Sequence, residues 1–193
     1  AVQHAMNLKL QDEAAFFAEY QNEPLPEVQA ADDLLSADQI AAKVNGQARA
    51  EVPIGCTRLT MFVDVQGKAL FYLVAAWEDD FTGYVIDYGT EPDQKAPNGY
   101  FTLRDLRRTL ATAAPRAGVE GAIYAGLERL VASHLAREWR RDDGAMVRID
   151  RCLIDANWGS STDVVYQFCR QCPHAGVLMP SHGRYVGASS IPF

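Results

Sequence analysis

The sequence predicts a mixed α/β domain, and two features of the chain lead to this prediction. Three segments rich in Val, Ile, Phe, Tyr and Leu follow one another between residues 59 and 88, separated by short polar turns, which is typical of an antiparallel meander. The second half of the chain alternates helical periodicity with further short apolar runs. With 193 residues, 48% of them hydrophobic, the chain can bury one substantial core and carry a short additional arm.

The predicted elements follow the order of three strands, two helices, one strand, one helix and one strand. Proline, glycine and acidic turn residues separate them. The predicted strands cover 59–66, 69–77, 83–88, 147–156 and 176–180, and the predicted helices cover about 102–113, 119–140 and 160–168. We expect the fourth strand to cross over and lie beside the first. The order is then that of the ribonuclease H-like fold, a mixed sheet flanked by helices, without its last helix.

Residues 1–55 are predicted to form an N-terminal helical arm. The segment Asp12–Tyr20 has helical spacing with an aromatic side, and two prolines that follow it end the helix. Ser36-Ala-Asp-Gln39 matches a capping box that opens a second short helix. Val52-Pro-Ile-Gly55 then serves as a linker, so that the globular domain covers residues 56–193.

Charge and missing motifs exclude several classes of function. The 18 basic and 25 acidic residues give a net charge of −7, which argues against a protein that coats DNA non-specifically. A nuclease remains compatible, because bound metal ions offset the charge of their carboxylate ligands. No apolar run approaches the roughly eighteen residues of a spanning helix, so we expect a soluble, intracellular protein. No GxxxxGKS/T phosphate loop, GxSxG elbow or HExxH helix is present, and no GxGxxG follows a strand.

Two carboxylates interrupt otherwise apolar predicted strands. Asp64 lies in Leu59-Thr-Met-Phe-Val-Asp-Val-Gln66, and Asp155 lies in Arg151-Cys-Leu-Ile-Asp-Ala-Asn-Trp-Gly159. Burying a carboxylate is costly without a compensating cation, and Mg²⁺ and Mn²⁺ accept hard oxygen ligands of this kind. Adjacent strands lie about 4.8 Å apart, so the two acids can share one ion of a two-metal phosphodiesterase site if their strands are neighbours. The alternative is that each acid ends a strand or caps the following turn.

Four other polar residues receive less specific predictions. Asp87 lies on the third predicted strand, where alternation favours a solvent-facing side chain. Asp163 lies in the first turn of a predicted helix, where the helix dipole is a sufficient explanation for an acid. His182 and Arg184 follow the last predicted strand, and they suit either contact with a phosphate group or a solvated loop.

The four cysteines allow a zinc site but do not favour one. Cys169-Arg-Gln-Cys172 with His174 supplies three zinc ligands at close spacing. Structural zinc sites normally need a second pair at matched spacing, whereas Cys56 and Cys152 are isolated in the sequence. The favoured interpretation is that the pair at 169 and 172 consists of small side chains, buried or half-exposed, on or just after a helix.

Four segments of the chain together resemble a known family. In chain order, Phe17–Pro24, Leu59–Gln66, Gly83–Gly89 and Leu153–Gly159 resemble the C-terminal nuclease domain of the tailed-bacteriophage terminase large subunit. In that family an N-terminal ATPase motor translocates DNA into the procapsid. A ribonuclease H-like nuclease, related in fold to resolvases and integrases, cuts the concatemer.

The resemblance implies a function, a site and a set of partners. Asp64 and Asp155 match the family's catalytic, metal-binding acids of the first and fourth strands, with Mg²⁺ or Mn²⁺ as cofactor. Residues 1–55 are then an arm or linker from an ATPase motor that the sequence lacks, and 56–193 are the nuclease domain. Double-stranded DNA, the small terminase subunit and the portal or procapsid are the expected partners, in the host cytoplasm and without a membrane.

One departure from the family pattern concerns the third metal-binding acid. In the family this acid normally follows the fifth strand, on or near the last helix, whereas this sequence has no acid after Asp163. We therefore expect the third ligand and the last helix to lie beyond Phe193. Two other functions stay open: a non-catalytic ribonuclease H-like module that docks packaging partners, and a resolvase- or transposase-like nuclease that prefers branched DNA or specific ends.

Overall fold

The computed structural model describes residues 35–44, 46–96, 103–157, 159 and 162–183. Residues Gln47–Gly183 form one compact unit, and the described residues up to Gly46 belong to a second. In chain order, the described helices are α1 (Ala37–Ala41), α2 (Leu110–Ala113), α3 (Gly118–Leu135) and α4 (Thr162–Gln171). The described strands are β1 (Glu51–Val52), β2 (Arg58–Val65), β3 (Leu70–Trp77), β4 (Gly83–Glu91), β5 (Trp139–Arg141), β6 (Met146–Val147), β7 (Arg151–Asp155) and β8 (Leu178–Ser181).

Helix α1 belongs to the second unit and begins at a capping box. The Ser36 side chain accepts a hydrogen bond from the backbone N–H of Gln39 (3.2 Å), and the Gln39 side chain accepts one from the N–H of Ser36 (2.7 Å). The capping box predicted from the sequence is therefore confirmed. The predicted helix over Asp12–Tyr20 lies outside the described residues.

A five-stranded mixed sheet forms the centre of the unit from Gln47 to Gly183. Its strands lie in the order β4-β3-β2-β7-β8. Strands β2, β3 and β4 form an antiparallel meander, whereas β7 runs parallel to β2 and β8 runs parallel to β7. The expected crossover, which places the predicted fourth strand beside the first, is confirmed.

A second sheet of three short strands has the order β1-β5-β6. This sheet does not follow from the sequence, because strands of two or three residues are too short to show alternation. The segment Val52–Gly55, predicted as a linker, supplies the buried Val52 of β1. The helix predicted to reach residue 140 ends at Leu135 instead, because the fully buried Trp139 belongs to β5.

The helix predicted over 102–113 is wrong for most of its length. Described residues 103–108 form turns and bends, and only the single turn of α2 is helical. The buried side chain of Gln94 explains the difference. Its Oε1 accepts hydrogen bonds from the N–H groups of Arg107 (3.0 Å) and Arg108 (3.1 Å), and its Nε2 donates to the carbonyl of Arg108 (2.7 Å). The N–H and carbonyl groups of Arg107 and Arg108 that would form hydrogen bonds within a helix are therefore bonded to Gln94 instead.

One face of the five-stranded sheet, here called the inner face, packs against α3 and α4. Along β2 every second side chain is buried, which is the alternation expected of a strand with one face in the core. Helix α3 supplies apolar side chains at helical spacing from Ile123 to Leu135. The buried side chains that meet between the sheet and the helices include Leu59, Met61, Val63, Leu70, Val74, Ile123, Leu127, Val131, Cys152, Ile154, Val165 and Phe168.

The opposite face of the sheet, here called the outer face, is partly open to solvent. It carries Phe62 on β2 and Leu73 on β3, which are 42% and 38% exposed. Met179 on β8 is 49% exposed. The two faces therefore differ in character, and a side chain on the outer face remains accessible to solutes.

A β-bulge in β4 overturns the prediction for Asp87. Val74 of β3 pairs with Asp87, whereas the next residue, Ala75, pairs with Val85, so that Ile86 is an extra residue in β4. Ile86 and Asp87 are consequently both buried. The prediction of a solvent-facing Asp87 assumed strict alternation of side chains along β4. The inserted Ile86 interrupts this alternation, so the prediction is wrong.

Arg49 compensates the buried Asp87 carboxylate, and the His134 ring lies near it. Arg49 Nε donates a hydrogen bond of 2.6 Å to Oδ1 of Asp87. His134 on α3 places Nε2 3.8 Å from Oδ2 of the same carboxylate. Burial lowers the pKa of His134, and this effect outweighs the attraction of Asp87 for the charged ring.

We predict that the stability of the protein falls in mildly acidic solution because of His134. A histidine whose pKa is lower in the folded than in the unfolded chain takes up protons on unfolding, so its contribution is complete above the ordinary value of 6.5 and is lost as the pH falls below it. The free energy of unfolding, measured with urea between about pH 7 and pH 5, should decrease in the wild-type chain. The decrease should be smaller in His134→Gln, because glutamine does not titrate in this range.

His174→Gln is the matched control for this prediction, since His174 lies in a turn after α4 and is less buried than His134. It should keep the wild-type dependence on pH. An unchanged slope in His134→Gln would assign the acid sensitivity to other groups.

Candidate active site

The register of β2 against β7 positions the candidate site. Leu59 and Asp150 exchange two hydrogen bonds where the two strands begin to pair. The N–H of Asp150 donates to the carbonyl of Leu59 (2.8 Å), and the N–H of Leu59 donates to Oδ2 of Asp150 (2.8 Å). Parallel pairing then continues in register as far as Val63 and Ile154.

Asp64 and Asp155 are the next residues in each strand, so they occupy corresponding positions on neighbouring strands. Such positions point to the same face of a sheet, and their backbones lie about 4.8 Å apart. Both acids belong to the outer face, and both side chains are partly exposed. The structure therefore brings together the two acids that the sequence analysis singled out.

The pair lies where the parallel strands β2, β7 and β8 end. Asp155 pairs with Ser181, the last residue of β8. On the other side Asp64 pairs with Phe71 of β3. The two carboxylates thus occupy the middle of a row that crosses four strands at the carboxyl ends of the parallel ones.

Gln66 contacts the Asp64 carboxylate from the same face of the strand. Its Nε2 lies 3.1 Å from Oδ1 and 3.0 Å from Oδ2 of Asp64. Residues two apart in an extended chain point to the same side, which explains why this amide reaches the acid. The amide orients the carboxylate without neutralising its charge.

A backbone hydrogen bond orients the Asp155 carboxylate. The N–H of Asn157 donates to Oδ1 of Asp155 (3.0 Å). The Asn157 side chain in turn contacts His182 and Gly183, which follow β8, at 2.6 Å each. His182 also contacts the hydroxyl of Tyr166 on α4 (2.7 Å). Both ring nitrogens of His182 are therefore engaged within the protein.

The charges at the site suit a divalent cation. Among the residues that the structure describes, the ion pairs within 4 Å include neither Asp64 nor Asp155. Two neighbouring carboxylates held by amide donors are hard oxygen ligands with uncompensated negative charge, which fits Mg²⁺ or Mn²⁺. Within the same described ranges, no three His, Cys, Asp or Glu side chains form a metal-binding group. A third ligand stays a prediction.

A groove of about 690 Å³ beside β4 offers a second candidate site. His134 lines it, with Ser133 Oγ 2.8 Å from Nδ1 and Asp87 facing Nε2. The residue types match a serine hydrolase, but the geometry does not. The Ser133 hydroxyl donates to the carbonyl of Leu130 one turn earlier in its own helix (2.8 Å), and it adjoins His134 along the chain. We interpret His134 as a buried side chain that packs beside Asp87, and not as part of a hydrolase site.

The zinc alternative receives no support from the described residues. Cys169 is buried on α4, and Cys172 follows the helix and is half-buried. Burial, followed by the neighbouring thiols, raises the pKa of Cys152 to about 12 and that of Cys169 to about 11. Zinc binds the thiolate form, which these environments disfavour. The interpretation of the cysteines as small packed side chains agrees with this burial.

Sequence reasoning missed three residues that shape the site. Gln66 and Asn157 each lie two positions after a predicted acid, so the patterns Asp-x-Gln and Asp-x-Asn carried a usable signal. Asp150 had no local signal, because its partner Leu59 is 91 residues away. Of the two residues after the last strand, His182 is described and Arg184 lies outside the described residues.

Comparison with known families identifies the chain. The family model of the terminase large subunit gpA endonuclease domain matches residues 7–191. The chain belongs to this family. The resemblance found on four sequence segments is thereby confirmed. No curated protein and no solved structure matched the chain. The helices in the described ranges are all too short or too polar to span a bilayer.

We predict that the cysteines of this family member differ sharply in reactivity. The thiolate is the reactive species, so the raised pKa values and burial of Cys152 and Cys169 should make both slow toward Ellman's reagent near pH 8. Cys56 is buried with a raised pKa and should also react slowly. Cys172 should supply the fast phase in the native protein.

The control is the same titration in denaturant, where all four thiols should react. Cys172→Ser should remove the fast native phase. A fast phase that survives this substitution would show that one of the buried thiols is accessible.

Proposed function

We propose that this domain is a metal-dependent endonuclease that cuts concatemeric double-stranded viral DNA during genome packaging. One observation carries the proposal: Asp64 and Asp155 lie at corresponding positions of neighbouring parallel strands, on one accessible face. Membership in the terminase endonuclease family supports the same reaction class. The family indicates the type of reaction, and the register of the two strands indicates which residues would carry it out.

The arrangement of the central sheet supports a ribonuclease H-like fold. Counted in chain order within the five-stranded sheet, the strands lie in the spatial order three, two, one, four, five. The first three are antiparallel, and the fourth and fifth run parallel to the first. This is the topology expected from the sequence, in which the first and fourth strands provide the acids. The small sheet of β1, β5 and β6 is an addition to that plan.

Asp64 and Asp155 would hold the cation, Mg²⁺ or Mn²⁺, between them. When bound, such an ion activates water and stabilises negative charge on the phosphodiester oxygens. Gln66 holds both oxygens of Asp64 within 3.1 Å of its amide nitrogen, and the N–H of Asn157 holds one oxygen of Asp155. These donors reduce the freedom of the two carboxylates before a cation binds. A second cation would need a further donor beside Asp64 and Asp155.

Double-stranded DNA is the substrate that we propose, with the small terminase subunit and the portal or procapsid as partners in the host cytoplasm. The net charge of −7 disfavours unaided binding to a polyanion. A bound divalent cation offsets part of this charge at the site itself. Basic surfaces of partner subunits or of an attached motor would then supply the remaining attraction for DNA.

Two other functions make different predictions. A docking module without catalysis would not need two acids side by side on an accessible face. A resolvase- or transposase-like nuclease would use the same acids, but it would prefer branched DNA or specific ends. The family match favours the packaging nuclease over both.

We predict that Asp64→Asn and Asp155→Asn each abolish Mn²⁺-dependent cleavage of plasmid DNA. The thermal midpoint should stay the same or rise, because each substitution removes one of two neighbouring like charges. Cleavage is measured by agarose electrophoresis, and folding is measured by thermal melting. Full activity of either variant would reject the assignment of that residue.

Asp79→Asn is the matched control for both substitutions. Asp79 is an exposed acid in the turn between β3 and β4, at the opposite end of the sheet from Asp64. The control changes the net charge by the same amount, so cleavage by Asp79→Asn should equal that of the wild type.

We further predict that Mn²⁺ binds to the wild-type chain and that binding requires both acids. Isothermal titration calorimetry should give a binding isotherm that disappears in the Asp64→Asn and Asp155→Asn variants. This measurement separates a nuclease from a docking module, because it does not depend on DNA. Binding that is equal in the wild type and in both variants would place the cation elsewhere.

A further inference from the structure

We propose that His182 is a positioning residue that fixes the Asp155 carboxylate for cation binding. The inference rests on the proposed function, because it concerns the same metal site. Its basis is a continuous chain of short hydrogen bonds that runs from helix α4 to Asp155. His182 acts through Asn157, to which its ring is hydrogen-bonded.

The chain of hydrogen bonds joins three separate segments of the protein. Tyr166 on α4 lies with its hydroxyl 2.7 Å from Nε2 of His182, which follows β8. Nδ1 of His182 lies 2.6 Å from Oδ1 of Asn157, which follows β7. The N–H of Asn157 then donates to Oδ1 of Asp155 (3.0 Å).

The donors and acceptors in this chain can be assigned from the Asn157 side chain. Its Nδ2 donates to the carbonyl of Gly183 at 2.6 Å, so its Oδ1 is the atom that faces His182. Nδ1 of His182 must therefore carry a hydrogen and donate it. In the neutral ring Nε2 is then an acceptor, which receives the hydroxyl hydrogen of Tyr166.

These hydrogen bonds hold the loop after β7 in place through both polar atoms of the Asn157 side chain. The amide oxygen of Asn157 is held by His182, and its amide nitrogen is held by Gly183. The Asn157 backbone is consequently set, and with it the N–H that orients Asp155. One oxygen of Asp155 is engaged by this N–H, which leaves Oδ2 for a cation. Partners that orient a ligand in this way typically change metal affinity by about 10–100-fold.

The engagement of both ring nitrogens also argues against direct contact between His182 and a phosphate group. Such contact would require the ring to release Tyr166 or Asn157. The two roles differ in what they control. A positioning residue changes the affinity for the cation, whereas a phosphate ligand changes the affinity for DNA.

The test compares His182→Asn with His182→Gln, two polar substitutions of similar size. The amide nitrogen of asparagine can take the place of Nδ1 and donate to Asn157. The amide of glutamine reaches the position of Nε2 instead and cannot replace that donor. His182→Asn should bind Mn²⁺ within about threefold of the wild type, whereas His182→Gln should bind about tenfold more weakly. Isothermal titration calorimetry of the whole chain without DNA measures both values.

Cleavage kinetics provide the second readout. For His182→Gln, the Mn²⁺ concentration at half-maximal cleavage should rise about tenfold, while the rate at saturating Mn²⁺ stays within about threefold of the wild type. A merely structural defect would lower the saturated rate and the thermal midpoint together. His174→Gln is the control for a histidine outside the chain of bonds, and it should behave as the wild type.

The outcomes separate this inference from the proposed function. Equal Mn²⁺ affinity in His182→Gln and the wild type would overturn the positioning role while leaving the nuclease intact. A weaker affinity for DNA with unchanged Mn²⁺ affinity would also overturn it. If Asp155→Asn retains Mn²⁺ binding, the proposed metal site fails, and the role of His182 fails with it.

Discussion

The alignment of β2 with β7 is the constraint on which the candidate site depends. Asp150 fixes it by exchanging two hydrogen bonds with Leu59 at the start of the pairing, five residues before each acid. A shift of one residue would turn one strand over relative to its neighbour. Asp155 would then face the core, and Ile154 would face solvent beside Asp64. The core contacts of the inner face and the placement of the acids are therefore determined by the same register.

The two faces of the central sheet have different roles: the inner face forms the core, and the outer face carries the two acids of the candidate site. The inner face holds apolar side chains against α3 and α4, and it can bury the Asp87 carboxylate because Arg49 pairs with it. The outer face leaves Asp64 and Asp155 partly exposed, with amide donors in place of cationic partners. Their partial exposure leaves both carboxylates accessible to a metal ion from solution.

Much of the central sheet was predictable, because its strands are long enough to show composition and alternation. The placement of Asp64 and Asp155 on neighbouring strands was predictable for the same reason, since each acid interrupts an apolar run. The bulge at Ile86 was not predictable, because an inserted residue reverses alternation without changing composition. The sheet of β1, β5 and β6 was missed because its strands are very short. The role of Asp150 depends on a partner far away in the sequence, which local patterns do not report.

The contacts around Asp87 have a consequence for how copies of the protein behave at high concentration. An outermost strand with free carbonyl and N–H groups can recruit a strand from another molecule and begin aggregation. In β4 the carbonyl of Ile86 accepts the N–H of Ala50, and the carbonyl of Tyr88 accepts a hydrogen bond from Arg49. The ion pair with Asp87 holds Arg49 beside the edge strand β4. Arg49, which neutralises the buried charge of Asp87, thus also shields the strand against intermolecular pairing.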